Sequence, residues 1–179
     1  LNIPEEKIVL MSVGELTKRK NHIAVIEAIA QLKAYDIIFI ICGDGPMKAR
    51  LRERAEELGV KDRLKLVGFR KDIAELHKAA DIFVFPSLQE GLPVALMEAM
   101  ASGLPIVASK IRGNVDLIQD HLGGYLVPVQ DSGQYAHAIE EVIKNPEKRQ
   151  QMEKRNLEII ENYGQEKVLR DMKKFFDEI

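Results

Sequence analysis

Residues 8–42 read IVLMSVGELTKRKNHIAVIEAIAQLKAYDIIFIIC. Two apolar runs, IVLMSV and DIIFIIC, bracket a polar loop and a stretch of helical period. Neither run alternates apolar with polar, so each strand is expected to be covered on both faces, as in parallel sheets. The pattern repeats outward from this unit. Strands are predicted over 8–13, 36–42, 63–67, 81–85, 105–108 and 124–127, and helices over 21–34, 46–58, 71–80, 92–102, 113–119 and 132–144. Strict alternation of the two predicts an α/β fold: a Rossmann-like, doubly wound parallel sheet of about six strands with helices on both faces.

Local punctuation agrees. Asn21 suits the cap of the first helix, and Pro46 the first turn of the second. Pro93 opens the 92–102 helix and Gly103 closes it, with Pro105 two residues beyond. The stripe Leu51, Ala55 and Leu58 reads as core, while Arg50–Arg54 reads as a solvated helix face. After Asn145-Pro146 the chain turns polar and strand-free, predicting two more helices divided near Tyr163-Gly164. The last places Val168, Met172 and Phe175 at helical spacing, with Leu169, Phe176 and Ile179 beside them. It is expected to lie across the domain or toward a missing neighbour.

Composition narrows the function classes. The chain has 179 residues, one domain's worth, enough to bury a core without staples. With 26 Lys and Arg against 28 Asp and Glu, the net charge of −2 offers no field for nucleic acid or an acidic membrane. Apolar residues at 46% and charged ones at 30% fit a globular protein, not a disordered one. One cysteine, Cys42, excludes an internal disulfide and suits a reducing compartment. Cys42 itself reads as a small buried hydrophobe. No apolar run approaches a membrane span or a signal peptide. The start at Leu1, without methionine, reads as a piece of a longer protein.

Ligands of such sheets bind at the carboxyl ends of the strands, where strand order reverses. The loops to inspect are therefore 14–20, 43–46, 68–70 and 86–93. Neither G-x-G-x-x-G nor G-K-[ST] occurs, which removes the main support for dinucleotide oxidoreductase and P-loop readings. The four histidines, His22, His77, His121 and His137, show no ligand spacing and read as surface or capping residues. The informative segment is FPSLQEGLPVALMEAMASGLPIVAS, residues 85–109. Glu90-Gly91 stands just before a helix whose first turn offers free N–H groups and a positive dipole end. Glu98 follows eight residues later, about 12 Å along a helix axis. That spacing exceeds a glycosidase acid–base pair and suits two carboxylates holding opposite ends of an extended ligand.

This segment resembles the signature of the retaining glycosyltransferases of family four, two-domain GT-B enzymes whose second half carries E-x7-E, matched by Glu90 and Glu98. SVGELTKRKNH (12–22) resembles the family's first glycine loop, ICGDGP (41–46) its second and VGF (67–69) its third. The 163–166 stretch is similar to the start of its last helix, and LNIPEEK to the end of its inter-domain linker. The resemblance thus implies linker over 1–6, a donor-binding domain over 7–160 and a C-terminal helix over 161–179. EGLPVALMEAMASGLP particularly resembles capsule, exopolysaccharide and lipopolysaccharide enzymes of bacteria.

The resemblance implies a role for each matched residue. Glu98 would accept hydrogen bonds from the ribose of a nucleotide-sugar donor, and Glu90 would contact donor-sugar hydroxyls near the reacting carbon. Backbone groups of Gly91, Leu92, Pro93 (carbonyl only) and Val94 would surround the sugar and diphosphate. Lys20 matches the diphosphate lysine, Gly14 and Gly43 match loop glycines, and Phe69-Arg70 would sit against the base. Glu15 departs from the pattern, since many relatives carry an arginine there, and a carboxylate repels phosphate. The charge then falls to Lys20, Lys18 or Arg19, or the donor is handled differently.

The implied reaction moves a sugar from a UDP- or GDP-sugar to an acceptor hydroxyl with retention at the anomeric carbon. No cofactor and no metal is expected, since no D-x-D pair is present. The acceptor sugar or lipid-linked glycan would be met through a missing N-terminal domain, leaving this piece inactive alone. The implied location is cytoplasmic, with the full-length protein working at the inner face of the membrane. A non-catalytic nucleotide- or sugar-binding module is the alternative, favoured only by Glu15.

Overall fold

The computed structural model describes residues 3–164. The chain runs β1 (Ile8–Val13), α1 (His22–Gln31), β2 (Ile37–Cys42), α2 (Lys48–Glu57), β3 (Leu64–Gly68), α3 (Ile73–Lys78) and β4 (Ile82–Phe85). It continues through α4 (Val94–Ala101), β5 (Ile106–Ser109), α5 (Asn114–Leu117), β6 (Gly124–Val127), α6 (Ser132–Lys144) and α7 (Pro146–Ile160). The six strands form one sheet in the order β3-β2-β1-β4-β5-β6, and every pairing is parallel. This is the Rossmann-like α/β fold expected from the alternation. Strand order reverses between β1 and β4, so their carboxyl-end loops face one another across the crevice where such sheets bind ligands.

The continuous apolar runs follow from cover on both faces. Leu10, Phe39, Ile41, Ile82 and Val84 belong to one core, packed with Val25, Ile26, Ile29, Leu51, Ala55, Tyr135, Ile139 and Val142 from α1, α2 and α6. Their neighbours Met11, Ile38, Ile40, Phe83 and Phe85 belong to the other, with Leu76, Leu96, Met100 and Leu117. The 51/55/58 stripe lies in the first core, Leu51 and Ala55 buried and Leu58 packed against it. Fully burying one such aliphatic side chain is worth about 1.5–3 kcal/mol, so alternate strand residues hold the helices onto both faces.

Several local expectations need correction. Asn21 does not cap α1. It sits at φ 51°, and its side-chain amide donates to the Val129 carbonyl at 2.8 Å instead. Pro46 lies in a turn ahead of α2, which begins at Lys48. Pro93 stands at the cap of α4 rather than inside it. His22 and His77 are buried, 2% exposed each, not surface residues. Asn156 is buried too; its amide donates to the carbonyls of Leu104 and Gly123, stapling α7 to the sheet. The helix predicted over 161–179 falls outside the described residues, apart from a 3-10 turn at Glu161–Tyr163. Among the described residues, no helix is long and apolar enough to cross a membrane.

Candidate functional site

The three glycine loops and the 86–93 loop meet at the carboxyl edge of the sheet. Gly14 N–H donates to the Cys42 carbonyl at 3.0 Å, and Gly43 N–H to the Gly68 carbonyl at 2.8 Å, which stitches three loop heads side by side. Gly43 stands at φ +154°, and a Cβ there would lie 2.0 Å from the Gly14 carbonyl oxygen. Only glycine permits that backbone approach. A Cβ on Gly14 would lie 2.9 Å from Lys20 Cε. The bare Gly14 backbone is the floor over which the Lys20 side chain passes.

Lys20 ends on Glu90. Its Nζ donates to Glu90 Oε1 at 2.8 Å and stands 4.7 Å above the centre of the Phe85 ring. Arg19 reaches the same carboxylate from the rim, its Nη1 donating to Glu90 Oε1 at 3.1 Å and to the Gln89 carbonyl at 2.9 Å. The Arg19 carbonyl accepts from Leu88 N–H at 2.8 Å, so backbone and side chain together tie the β1 loop to the β4 loop. Burial opposes ionisation of Glu90, but Lys20, the Ser87 hydroxyl and the charge of Arg19 outweigh it and hold the carboxyl below its ordinary value. Residues 70 positions apart thus form one charged cluster across the strand-order reversal.

The other matched residues spread along the same rim. Glu98 lies in the second turn of α4 and is exposed. Helical rise separates it from Val94 only, because Glu90 precedes the helix. Gly91, Leu92 and Val94 are exposed, whereas Pro93 is buried. Phe69 is 80% exposed, and Arg70 is occupied by Asp72, with Nε donating to Oδ1 at 2.8 Å. Cys42 is buried, and burial pushes its thiol up to about 11, which keeps it protonated and inert. Among the described residues, no group of three or more His, Cys, Asp or Glu is placed to hold a metal ion.

The β5 loop belongs to this edge and was passed over in the sequence. Gly113 packs so closely on the 90–91 turn that a Cβ would lie 2.8 Å from the Gly91 carbonyl oxygen. Below it, Asn114 donates to the Ser109 carbonyl at 2.9 Å, and the Ser109 hydroxyl donates to the Ser87 carbonyl. The pair Gly113-Asn114, four and five residues after the strand end at Ser109, was the available signal.

A family model for glycosyl transferases group 1 matches residues 1–158. The chain belongs to the group 1 glycosyltransferases. Among relatives, the UDP-Gal:alpha-D-GlcNAc-diphosphoundecaprenol alpha-1,3-galactosyltransferase of Escherichia coli is 35% identical over 144 residues, covering 78% of this chain and 37% of that protein. The lipopolysaccharide core biosynthesis glycosyltransferase LpsE of Rhizobium meliloti is 30% identical over 160 residues, 89% of this chain and 46% of its own. The structure of Anabaena Alr3699/HepE in complex with UDP and glucose superposes with a TM-score of 0.82 at 27% identity, covering 87% of this chain and 44% of that one. The chain therefore spans less than half the length of these group 1 relatives.

Proposed function

We propose that this chain is the donor-binding part of a retaining glycosyltransferase that moves a sugar from a nucleoside diphosphate to an acceptor hydroxyl in polysaccharide or glycoconjugate synthesis. The observation that carries the reading is the meeting of Glu90 with Lys20 across the β1/β4 crevice, at the head of a helix that bears Glu98. UDP is the preferred nucleotide, supported by the UDP and glucose of the HepE complex and the UDP-Gal in the name of the E. coli relative. A GDP-sugar is the other donor to test.

In this reading Glu98 accepts from the ribose, Glu90 from sugar hydroxyls, and Lys20 meets the diphosphate. Gly14, Gly43, Gly91, Leu92, Pro93 and Val94 line the bound donor with backbone, and Phe69 and Arg70 stand beside the base. When the bond from the anomeric carbon to the diphosphate breaks, the leaving oxygen takes the electron pair. Fixed cations and the α4 terminus answer that charge without reorganising. The acceptor comes from a further domain outside this chain, so the isolated chain binds the donor without turning it over.

Calorimetry tests the assignment, with UDP, GDP and NAD titrated separately into the 179-residue chain. One nucleoside diphosphate should bind and NAD should not. Glu98→Ala should weaken that nucleotide by about 10- to 150-fold, the loss of a charged hydrogen bond, whereas Glu90→Ala, which releases Lys20 and Arg19 from their carboxylate partner, should not weaken it. Wild-type affinity in Glu98→Ala would overturn the ribose assignment.

A further inference from the structure

Lys20 by itself gives this crevice no positive field. It is 12% exposed and paired with Glu90, 9% exposed, so the two charges cancel where a diphosphate would approach. The α4 terminus adds only a partial charge. Glu15, in the same loop, adds a negative charge. Its carboxylate is exposed and makes no hydrogen bond or ion pair among the described residues. The Lys18 ammonium likewise has no partner among them and does not touch Glu90.

Arg19 is differently placed. One guanidinium nitrogen, Nη1, is used on Gln89 and Glu90, while Nε and Nη2 have no partner among the described residues and the side chain is 48% exposed. Its main chain is pinned by the Leu88 amide, so the fork starts from a fixed base. With Arg19 counted, the cluster with Lys20 and Glu90 carries one net positive charge. A half-open guanidinium beside a compensated lysine is suited to two phosphate oxygens in a way that a point charge is not.

We propose that Arg19 is a second diphosphate-binding residue of this chain, supplying the uncompensated cation that the Lys20–Glu90 pair lacks. The proposal rests on the donor-binding reading above. Nucleoside diphosphate would draw the free Nε and Nη2 donors inward while Nη1 keeps its hold on the Gln89 carbonyl and the Glu90 carboxylate. Because the fork is held before the donor arrives, little ordering is left to oppose binding.

The test compares UDP with uridine, and GDP with guanosine, by calorimetry on the 179-residue wild type, Arg19→Ala and Arg19→Lys. For the diphosphate that wild type binds, Arg19→Ala should lose about 10- to 150-fold in affinity while the nucleoside changes less than about twofold. Arg19→Lys keeps the charge without the fork and should fall between. An unchanged diphosphate affinity in Arg19→Ala would overturn the proposal and leave the donor-binding reading standing. Equal losses for diphosphate and nucleoside would overturn it too, by assigning Arg19 to loop architecture alone. A wild type that binds neither UDP nor GDP would remove the donor-binding reading itself, and this proposal with it.

Discussion

Lys20 Nζ and Glu90 Oε1 stand 2.8 Å apart, joining the loop after β1 to the loop after β4, with side chains only 12% and 9% exposed. A pair this enclosed differs from a surface ion pair. Each member depends on the other, because removing one leaves a charge short of solvent and short of a partner. Arg19 softens that dependence at the rim but stays half in water.

Removing Lys20 should therefore cost stability. Lys20→Ala should unfold about 1–3 kcal/mol more easily at pH 7, because Glu90 is left with the weaker Arg19 contact. The folded carboxyl of the wild type lies below its ordinary value. The stabilisation it brings is full above the unfolded carboxylate range and disappears as pH falls through the lowered folded value. In the variant, burial dominates and Glu90 takes up a proton sooner, so the deficit should narrow between pH 7 and pH 4. Urea unfolding of both proteins at the two pH values measures this, and a constant deficit would contradict it.

His22 supplies a second pH dependence of known sign. Burial, with the charge of Lys20 adding, pushes its imidazole down to about 3. The unfolded chain binds this proton near pH 6.5 and the folded chain does not, so stability falls as pH drops below 6.5. From pH 7 to pH 5 this one group should cost about 2 kcal/mol. His77, also lowered by burial, pulls the same way. Replacing His22 by Gln should flatten the stability profile over that interval by about that amount, measured by denaturant unfolding across pH.

Two loop glycines should respond in opposite ways. In Gly43→Ala the new methyl meets the Gly14 carbonyl at 2.0 Å, an overpacking that should cost about 1–3 kcal/mol or displace the loops. A Cβ on Gly91 meets nothing within 4 Å, so Gly91→Ala should fold within about 0.5 kcal/mol of wild type. If the 91–94 backbone lines the bound donor, that same variant should nevertheless bind nucleotide sugar more weakly. Thermal melts with a parallel titration separate the two effects, and a Gly91→Ala protein unchanged in both would remove Gly91 from the donor site.

Glu15→Arg should tighten diphosphate binding. The exposed carboxylate has no partner to lose, and a guanidinium there adds attraction where repulsion stood. A gain of roughly 2- to 10-fold for UDP over uridine is expected from one partly exposed charged contact. An unchanged ratio of the two affinities would mean that position 15 points away from the diphosphate.

The sheet was legible because its signals are short-range. Strands 8–13 and 124–127 were readable to the residue, since a run covered on both faces is apolar at almost every position, with buried Ser12 the exception in the first. The α4 boundary was less so: Leu92 and Pro93 fit a first turn by type, but the helix begins at Val94, with Pro93 buried at its cap. Asn21 failed as a cap because Val129, more than a hundred residues away, claims its amide. Nothing within a window of twenty residues could announce that competition.

The order of residues along the chain was enough to say which segments are strands and helices, that both sheet faces are covered, which loops carry glycine, Lys20 and Glu90, and that Glu98 sits on the helix that follows. Only the tertiary structure decided that β4 lies beside β1. From that adjacency follow the Lys20–Glu90 pair and the grip of Arg19 on the 89–90 turn, while the packing of Gly113 on Gly91 follows from β5 lying beside β4. The physical reason lies in range. Propensity and periodicity are properties of neighbouring residues, whereas strand order is settled by burying two whole faces at once, and a charge cluster at the seam inherits its members from that order.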